Sequence, residues 1–330
     1  MATSTLRVIN AATVRALLPM DRCIDLMIDA MRAISRRQVA LAPRNTHALI
    51  DKTGFLGTMS GSCLEPRTFG CKVMSVIPGN ASKGLPTLSG VLLVFDAETG
   101  APSALIHGAT ITELRTAATS ALATRLLARA DAKTLAVFGN GVQAAAHIDA
   151  VCRVRSIDRI LVWSRSVERG AAFAASQQAQ RGVPVLFEAD AARACAAADI
   201  VCTTTAASLP IVTGRWVRPG THLNLIGSHD PGSAEADVDL IAGASVYVDQ
   251  LDYALRDAGE IVQAISSGAI SAAQLRGELG QLVDGLVSGR SRDDEITVFK
   301  SIGLLAQDLV AAEYVVRQAQ EHAAGGQHEF

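Results

Sequence analysis

The sequence predicts an α/β protein in which a doubly wound parallel sheet is joined to a second segment of mixed α and β character. Over residues 134–249 short β-rich runs alternate with Ala-rich stretches of helical pattern, which specifies a mostly parallel sheet with helices on both faces. Residues 47–109 read instead as short strands broken by Gly, Pro and Asn, the pattern of a separate sheet joined by turns. Helical periodicity returns at both ends of the chain.

Each element follows in order. In VINAATVRALLPMDRCIDLMIDAMRAI, Val14, Leu17 and Leu18, then Ile24, Met27, Ile28 and Met31, recur at spacings of three and four, so two amphipathic helices open the chain. TGFLGTMSG, TFGCKVMSVIPGN and LSGVLLVFDAETGAPSALI form strands of one sheet, with DAETGAP as a hairpin turn. TITELRTAATSALATRLLA turns helical, opened by Thr110 and Glu113 at capping-box spacing. After the polar ARADAK come TLAVF, RILVW, VPVLF, DIVCT, HLNLI and SVYVD, and Ala-rich helices separate the first four. A last helix is predicted over FKSIGLLAQDLVAAEYVVRQAQ, with Ile302, Leu305, Leu309 and Tyr314 on its apolar stripe. The tail from Glu321 to Phe330 is expected to fray.

Bulk properties exclude several functions. The 330 residues carry a formal charge of −2 and no Lys/Arg block, so nucleic acid and anionic membrane are not expected partners. No apolar run approaches the ~18 to 20 residues of a membrane span. The six cysteines sit mostly in apolar runs without paired or metal-ligand spacing, and nothing at the N-terminus resembles a secretory signal. Reduced thiols, a cytoplasmic location and no metal site are the expectation.

TLAVFGNGVQAAAHIDAV is strand, turn and helix, and its turn, Gly139-Asn140-Gly141-Val142-Gln143-Ala144, is the dinucleotide fingerprint with Ala in third place. Gly139 permits the tight turn, Gly141 lets a pyrophosphate approach the backbone, and the helix N-terminus supplies N–H groups and a positive dipole. The run RILVWSRS ends in Ser164 and Arg165, where NAD-specific folds place a carboxylate for the ribose. A hydroxyl and a guanidinium favour a 2′-phosphate, so NADP(H) is the favoured cofactor and NAD(H) the alternative. Thr203 and Thr204, after DIVC, are counted with the cofactor-binding residues.

Three cations are candidates for a substrate anion. Lys72 shares its alternating strand face with Met74 and Val76, so either an anion or an acidic residue partners it, or the strand is an edge with Lys72 in water. Arg115 straddles an apolar helix stripe beside Ala118 and Leu122, as a structural ion pair or an anion clamp. Arg44, in the loop LAPRNTH, reads by itself as solvated.

VRALLPMDRCIDLMIDAM, GCKVMSVIPGN, GLPTLSGVLLVFDAETGAPSALIHGATITELRTAATSA, GNGVQA, GSHDPGSAE and ITVFKSIGLLAQDL occur in this order, and together they resemble the ornithine cyclodeaminase/mu-crystallin family over nearly the whole chain. The resemblance implies a homodimer and a Rossmann domain, residues 119–306, inserted in a discontinuous substrate-binding and dimerisation domain, residues 1–118 plus 307–330. It implies that Arg44, Lys72 and Arg115 hold a substrate α-carboxylate, that Thr116 contacts a cofactor phosphate, and that Lys300 approaches the nicotinamide, with a surface role as the competing reading.

One departure redirects the chemistry. The cyclodeaminases carry a catalytic Asp two positions before a proline, and counting back from Pro231 that position holds His229, with Asp230 one step later. A cyclodeaminase must remove a hydride, handle amine protons and return the hydride; a simple reductase needs only hydride delivery to a preformed imine and one proton. Histidine titrates near neutral pH and suits that proton. Family members with a GSH or GAH loop at this place resemble Δ1-pyrroline-2-carboxylate and Δ1-piperideine-2-carboxylate reductases, and the resemblance therefore implies an NAD(P)H-dependent reductase of a small cyclic ketimine carboxylate, yielding L-proline or L-pipecolate, with His229, Lys72 and Asp230 as the catalytic candidates. The alternatives are an ornithine cyclodeaminase using Asp230, an amino-acid dehydrogenase, and a non-enzymatic NADPH-dependent binding protein of the crystallin type. Asp230 also reads as a turn starter. Glu235, Asp237 and Asp239 read as a solvated or helix-capping stretch, and His107 and His222 as structural.

Overall fold

The computed structural model describes residues 5–329 and divides into two compact units, one up to Arg115 and again from Leu304, the other Thr116–Gly303. The first unit opens with β1 (Thr5–Ile9), α1 (Ala11–Leu17) and α2 (Met20–Ser35), followed by β2 (Val39–Leu41), β3 (Asn45–Ala48), β4 (Phe55–Cys63), β5 (Thr68–Val76), β6 (Leu88–Phe95) and β7 (Pro102–His107). Helix α3 (Gly108–Leu127) runs unbroken through the division. The second unit continues with β8 (Thr134–Phe138), α4 (Val142–Val154), β9 (Arg159–Trp163), α5 (Val167–Gln178), β10 (Val185–Phe187), α6 (Ala191–Ala197), β11 (Ile200–Thr203), β12 (His222–Leu225), α7 (Val238–Gly243), β13 (Ser245–Val248), α8 (Leu251–Asp257), α9 (Gly259–Ser266), β14 (Gly277–Glu278), α10 (Leu279–Val283) and β15 (Thr297–Lys300). The chain then returns to the first unit as α11 (Leu305–Glu321) and β16 (Gly326–Glu329).

The sheet of the first unit has the order β16-β1-β7-β6-β5-β4-β2, with β3 also on β4. Its hairpin between β6 and β7 is the DAETG turn: Asp96 Oδ1 accepts the Thr99 N–H at 2.7 Å, and Gly100 takes φ 74°, as such turns require. Helix α11 lies on β4, β5 and β6. The inward face presents Met74, Leu92, Val94, Ala104 and Ile106, all buried, while Phe69, Val73, Val91 and Phe95 on the other face remain partly exposed.

The second unit holds a sheet of order β10-β9-β8-β11-β12-β15-β13-β14, parallel throughout. The order reverses between β8 and β11, and the loops leaving the carboxyl ends of these strands are where open α/β sheets bind ligands. Leu135, Val137, Ile148, Val151, Ile160, Val162 and Ile200 form the core on one side.

Four expectations are corrected. The strand β1 precedes the two opening helices. The helix α3 starts at Gly108, with His107 rather than Thr110 as its cap: the Thr110 N–H donates to His107 Nδ1 at 3.3 Å, and Glu113 is bound by Arg15 at 2.9 and 2.7 Å. Residues 299–300 belong to a central strand, so α11 begins only at Leu305 and Ile302 lies outside it. The tail is not frayed over residues 326–329, which pair antiparallel with β1; Phe330 lies outside the described residues.

Candidate active site

Strand β5 alternates buried and half-buried positions, and the alternation that buries Gly70 and Met74 buries Lys72 between them. Its ammonium lies 2.7 Å from Asp308 Oδ1 on α11. The same oxygen accepts Arg115 Nε from α3 at 3.2 Å, and Arg115 Nη1 donates to Gln307 Oε1 at 2.6 Å. Lys72, Arg115, Gln307 and Asp308 are all buried, so the open edge-strand reading of Lys72 fails. Burial pushes the Lys72 ammonium down to about 8; Asp308 opposes this, while Arg115 and Arg44 reinforce it. Burial acts upward on the Asp308 carboxyl, but Arg115 and Lys72 outweigh it and hold the group below its ordinary range. Arg44 is half-buried in the loop between β2 and β3 and is felt electrostatically by Lys72. Two buried cations thus share one carboxylate oxygen, with the charge of Arg44 felt beside them, a setting that suits an anionic carboxylate ligand.

In the second unit, Gly139 adopts φ 132°, and a Cβ there would fall 2.6 Å from Thr204 Oγ1, so only glycine lets the loops after β8 and β11 approach. The Gly139 N–H donates to the Trp163 carbonyl at 2.9 Å, and Thr204 Oγ1 to the Phe138 carbonyl at 3.1 Å. Gly141 is the N-cap of the 13-residue helix α4, makes no side-chain cap, and has no atom within 4 Å of where its Cβ would stand. That open cradle at uncapped helix N–H groups fits a dinucleotide pyrophosphate. Asn140 and Gln143 are half-buried and Val142 exposed beside it, Ser164 is buried at the end of β9, and Arg165 is exposed. Thr116, at the start of this unit, is buried, and the hydroxyl of Thr203 is committed to Glu235 at 2.6 Å.

The loop after β12 carries His229 and Asp230, both exposed. His229 Nδ1 lies 3.3 Å from the Gly227 carbonyl. A carbonyl only accepts, so this contact is made with the proton on Nδ1 and leaves Nε2 as the other ring nitrogen. Asp230 Oδ1 accepts the Gly232 N–H at 2.9 Å, the turn-starting bond of an Asx residue.

Two acidic residues here are not anticipated by the sequence as site components. Glu235 is fully buried rather than solvated, and accepts from Thr203 Oγ1, from the N–H and Oγ1 of Thr205, and from the Gly227 N–H, at 2.6 to 2.8 Å. Burial pushes its carboxyl up, against the pull of Lys300 and these donors. Glu260 is 1% exposed; its Oε1 accepts the Glu235 N–H at 2.9 Å and its Oε2 lies 2.9 Å from Lys300 Nζ. Lys300 itself is fully buried and donates to the Ser228 carbonyl at 2.7 Å, which excludes a surface role. Asp237 and Asp239 do sit at a helix start: Asp237 caps α7 through the Leu240 N–H. His222 is a structural residue, its Nδ1 3.0 Å from Thr297 Oγ1. Asp308 does leave a signal, since it lies among Leu305, Leu309 and Ala312 on an apolar helix. Glu235 leaves none, because its partners are set by the fold.

Comparison with known proteins agrees with this architecture. The chain is 35% identical over 324 residues to a Δ1-pyrroline-2-carboxylate reductase of Bacillus cereus, covering 98% of this chain and 99% of the relative. The Thermococcus litoralis Δ1-pyrroline-2-carboxylate reductase, solved with NADH and L-proline, superposes with a TM-score of 0.93 at 31% identity, over 97% of this chain and 99% of that one. An archaeal alanine dehydrogenase, solved as a dimer with bound NAD, superposes with a TM-score of 0.91 at 30% identity, over 99% of each chain. The sequence model of the ornithine cyclodeaminase/mu-crystallin family matches residues 5–323. The match spans both units and every site residue described above, and the chain belongs to the ornithine cyclodeaminase/mu-crystallin family.

Proposed function

We propose that the protein reduces a small cyclic ketimine carboxylate, Δ1-pyrroline-2-carboxylate or its six-membered homologue, to the cyclic amino acid at the expense of a reduced nicotinamide dinucleotide. The observation that carries the reading is the buried Lys72–Arg115–Asp308 cluster with Arg44 beside it, a cationic receptor for one carboxylate. Two relatives that cover 98% and 97% of this chain are named as Δ1-pyrroline-2-carboxylate reductases.

When bound, the cofactor supplies a hydride to the C=N carbon, and the nitrogen takes up one proton, so that C=N becomes CH–NH. The chain's residues do the rest. Arg44, Lys72 and Arg115 hold the carboxylate, and the guanidinium of Arg115 supplies a planar fork. His229, oriented by the Gly227 carbonyl, presents Nε2 as the proton donor. Gly139, Asn140, Gly141, Val142, Gln143 and the start of α4 receive the dinucleotide phosphates, with Thr116 and Thr204 as further contacts. Asp230, the base a cyclodeaminase would need, is engaged in its own turn. The Lys72 ammonium is a second proton source within the cationic cluster.

The dinucleotide is assigned as NAD(H) or NADP(H). Two solved relatives hold the unphosphorylated form, whereas Ser164 and Arg165 here leave the ribose end without a carboxylate. The relatives support NAD(H), and the exposed Arg165 is proposed to let the chain take the phosphorylated form as well. Replacing Arg165 by alanine should lower the NADPH-to-NADH ratio of kcat/KM about tenfold, the worth of one charge-assisted contact; an unchanged ratio removes Arg165 from this role.

A homodimer is proposed through the first unit, whose sheet leaves Phe69, Val73, Val91 and Phe95 partly exposed on one face. An archaeal relative is a dimer, and exposed apolar patches of this kind mark association surfaces.

The test follows nicotinamide absorbance with Δ1-pyrroline-2-carboxylate and Δ1-piperideine-2-carboxylate, alongside ammonia release from L-ornithine, for wild type and His229→Ala. Rapid cofactor oxidation that collapses in the variant supports the reductase. Ammonia release without net cofactor change overturns it.

A further inference from the structure

We propose that Lys300, Glu260 and Glu235 form a buried charged brace that holds the loop Gly227–Glu235 in the one shape that presents His229, which makes them positioning residues for the proton-transfer step. The inference rests on the assignment of the proton to His229.

The loop lacks regular secondary structure over most of its length, so its polar backbone groups need other partners. The brace supplies them at both ends. The Gly227 N–H donates to Glu235 Oε2 at 2.6 Å, and the Ser228 carbonyl accepts Lys300 Nζ at 2.7 Å. The Glu235 N–H donates to Glu260 Oε1 at 2.9 Å, and Glu260 Oε2 lies 2.9 Å from the ammonium of Lys300. Ser228 Oγ then ties the two limbs by donating to the Ser233 carbonyl at 2.5 Å. Residue 259 closes the ring from below: a Cβ there would fall 1.8 Å from the Ser233 carbonyl oxygen and 2.8 Å from that of Asp230.

Lys300 reaches the loop because β15 is inserted beside β12 with Lys300 level with Leu225, the last residue of β12. The three side chains are buried to within 1% of full burial. Burying two carboxylates and one ammonium is costly, and an apolar set of similar volume is often no less stable. Their arrangement is explained by what they hold. His229 is the exposed side chain between a residue clamped by Lys300 and a residue packed on Gly259. Lys300, which the resemblance places near the nicotinamide, thus also holds a protein carbonyl and a glutamate.

The test uses Glu260→Gln and Lys300→Met in the full-length protein, each alone and with His229→Ala. A displacement of about 1 Å at a reacting group lowers kcat about 100-fold, and that loss is expected with KM and NADH affinity within about twofold of wild type. The double variant Glu260→Gln/His229→Ala should be no slower than His229→Ala, since a residue acting through another adds nothing once that other is gone. Amide hydrogen exchange over residues 227–235 should rise about tenfold or more while β8 and α4 keep their protection. Additive kcat losses, a defect confined to NADH affinity, or unchanged exchange in the loop overturns the proposal. Glu260→Gln keeps the shape and an acceptor oxygen, and carries the test where Lys300→Met does not fold. If His229→Ala alone reduces the imine at the wild-type rate, the assignment of the proton to His229 falls, and the exchange measurement then decides the brace by itself.

Discussion

The Lys72 ammonium and the Asp308 carboxylate meet at 2.7 Å with 4% and 0% of their side chains exposed, and Arg115 Nε contacts the same oxygen at 3.2 Å. One carboxylate oxygen therefore separates two buried cations. Its removal leaves them facing each other in a medium that screens poorly. Asp308→Asn should cost about 3 to 5 kcal/mol, the usual penalty for breaking a buried pair from one side. Denaturant unfolding of the variant checks it, and a loss under about 1 kcal/mol would show that solvent already reaches the cluster.

The same cluster sets a pH dependence. With Lys72 lowered to about 8, its ammonium is present below that pH and lost above it. A neutral amine cannot hold a carboxylate, so kcat/KM should fall about tenfold per pH unit on the alkaline side. Because kcat/KM reports the free enzyme, the limb should move to higher pH in kcat, where the bound carboxylate favours the ammonium. The stability effect has the opposite sign. The folded value of about 8 lies below the ordinary lysine value of 10.5, so between the two the unfolded chain binds the extra proton, and the contribution of Lys72 to stability rises with pH there. Loss of the alkaline limb in Lys72→Met, measured across that window, identifies the group.

Two buried histidines make the second unit sensitive to acid. Burial lowers His147 to about 4, and burial with the charge of Arg290 lowers His222 to about 3. Each is neutral when folded and takes a proton near pH 6.5 when unfolded. Their contribution is complete above about 6.5 and is lost as pH falls toward the folded values, at up to about 1.4 kcal/mol per pH unit for each. His147→Gln should flatten the fall in melting temperature between about pH 6 and 4; an unchanged slope would place the acid sensitivity elsewhere.

The alternation of strands and helices makes the second unit legible in the sequence, and the Gly139 loop locates its ligand-binding edge. Lys72 and Arg115 are legible for a different reason: each is a cation on an otherwise apolar face, which demands a partner. The identity of that partner is out of reach, because Asp308 is 236 residues from Lys72. The second half of β15, Phe299 and Lys300, reads as helix because the strand lies at the centre of a parallel sheet, buried on both faces without alternation, and a short run of that kind carries no period. That misreading hides Lys300 from the loop it braces. Glu260 sits with Gly259, Ile261 and Ala264 on the buried face of α9, a signal like that of Asp308, but its partner Glu235 is 25 residues away and set by the fold.

Gly227 should be the least replaceable residue of the loop. Its backbone N–H is held by Glu235, and a Cβ would fall 2.0 Å from the Thr205 carbonyl oxygen and 2.5 Å from Glu235 Oε1. The first contact is with backbone and cannot be relieved by a rotamer change. Gly227→Ala must therefore push the loop away from Thr205, in the segment after β11, and break the Glu235 bonds to Thr205 and Gly227 together. The expected cost is about 2 to 4 kcal/mol, the sum of overpacking and of a buried carboxylate losing donors. Turnover should fall further than stability predicts, because the displaced segment carries His229. A folded variant with wild-type kcat would show that the loop tolerates the shift and that the position of His229 is not set by the approach of Gly227 to Thr205.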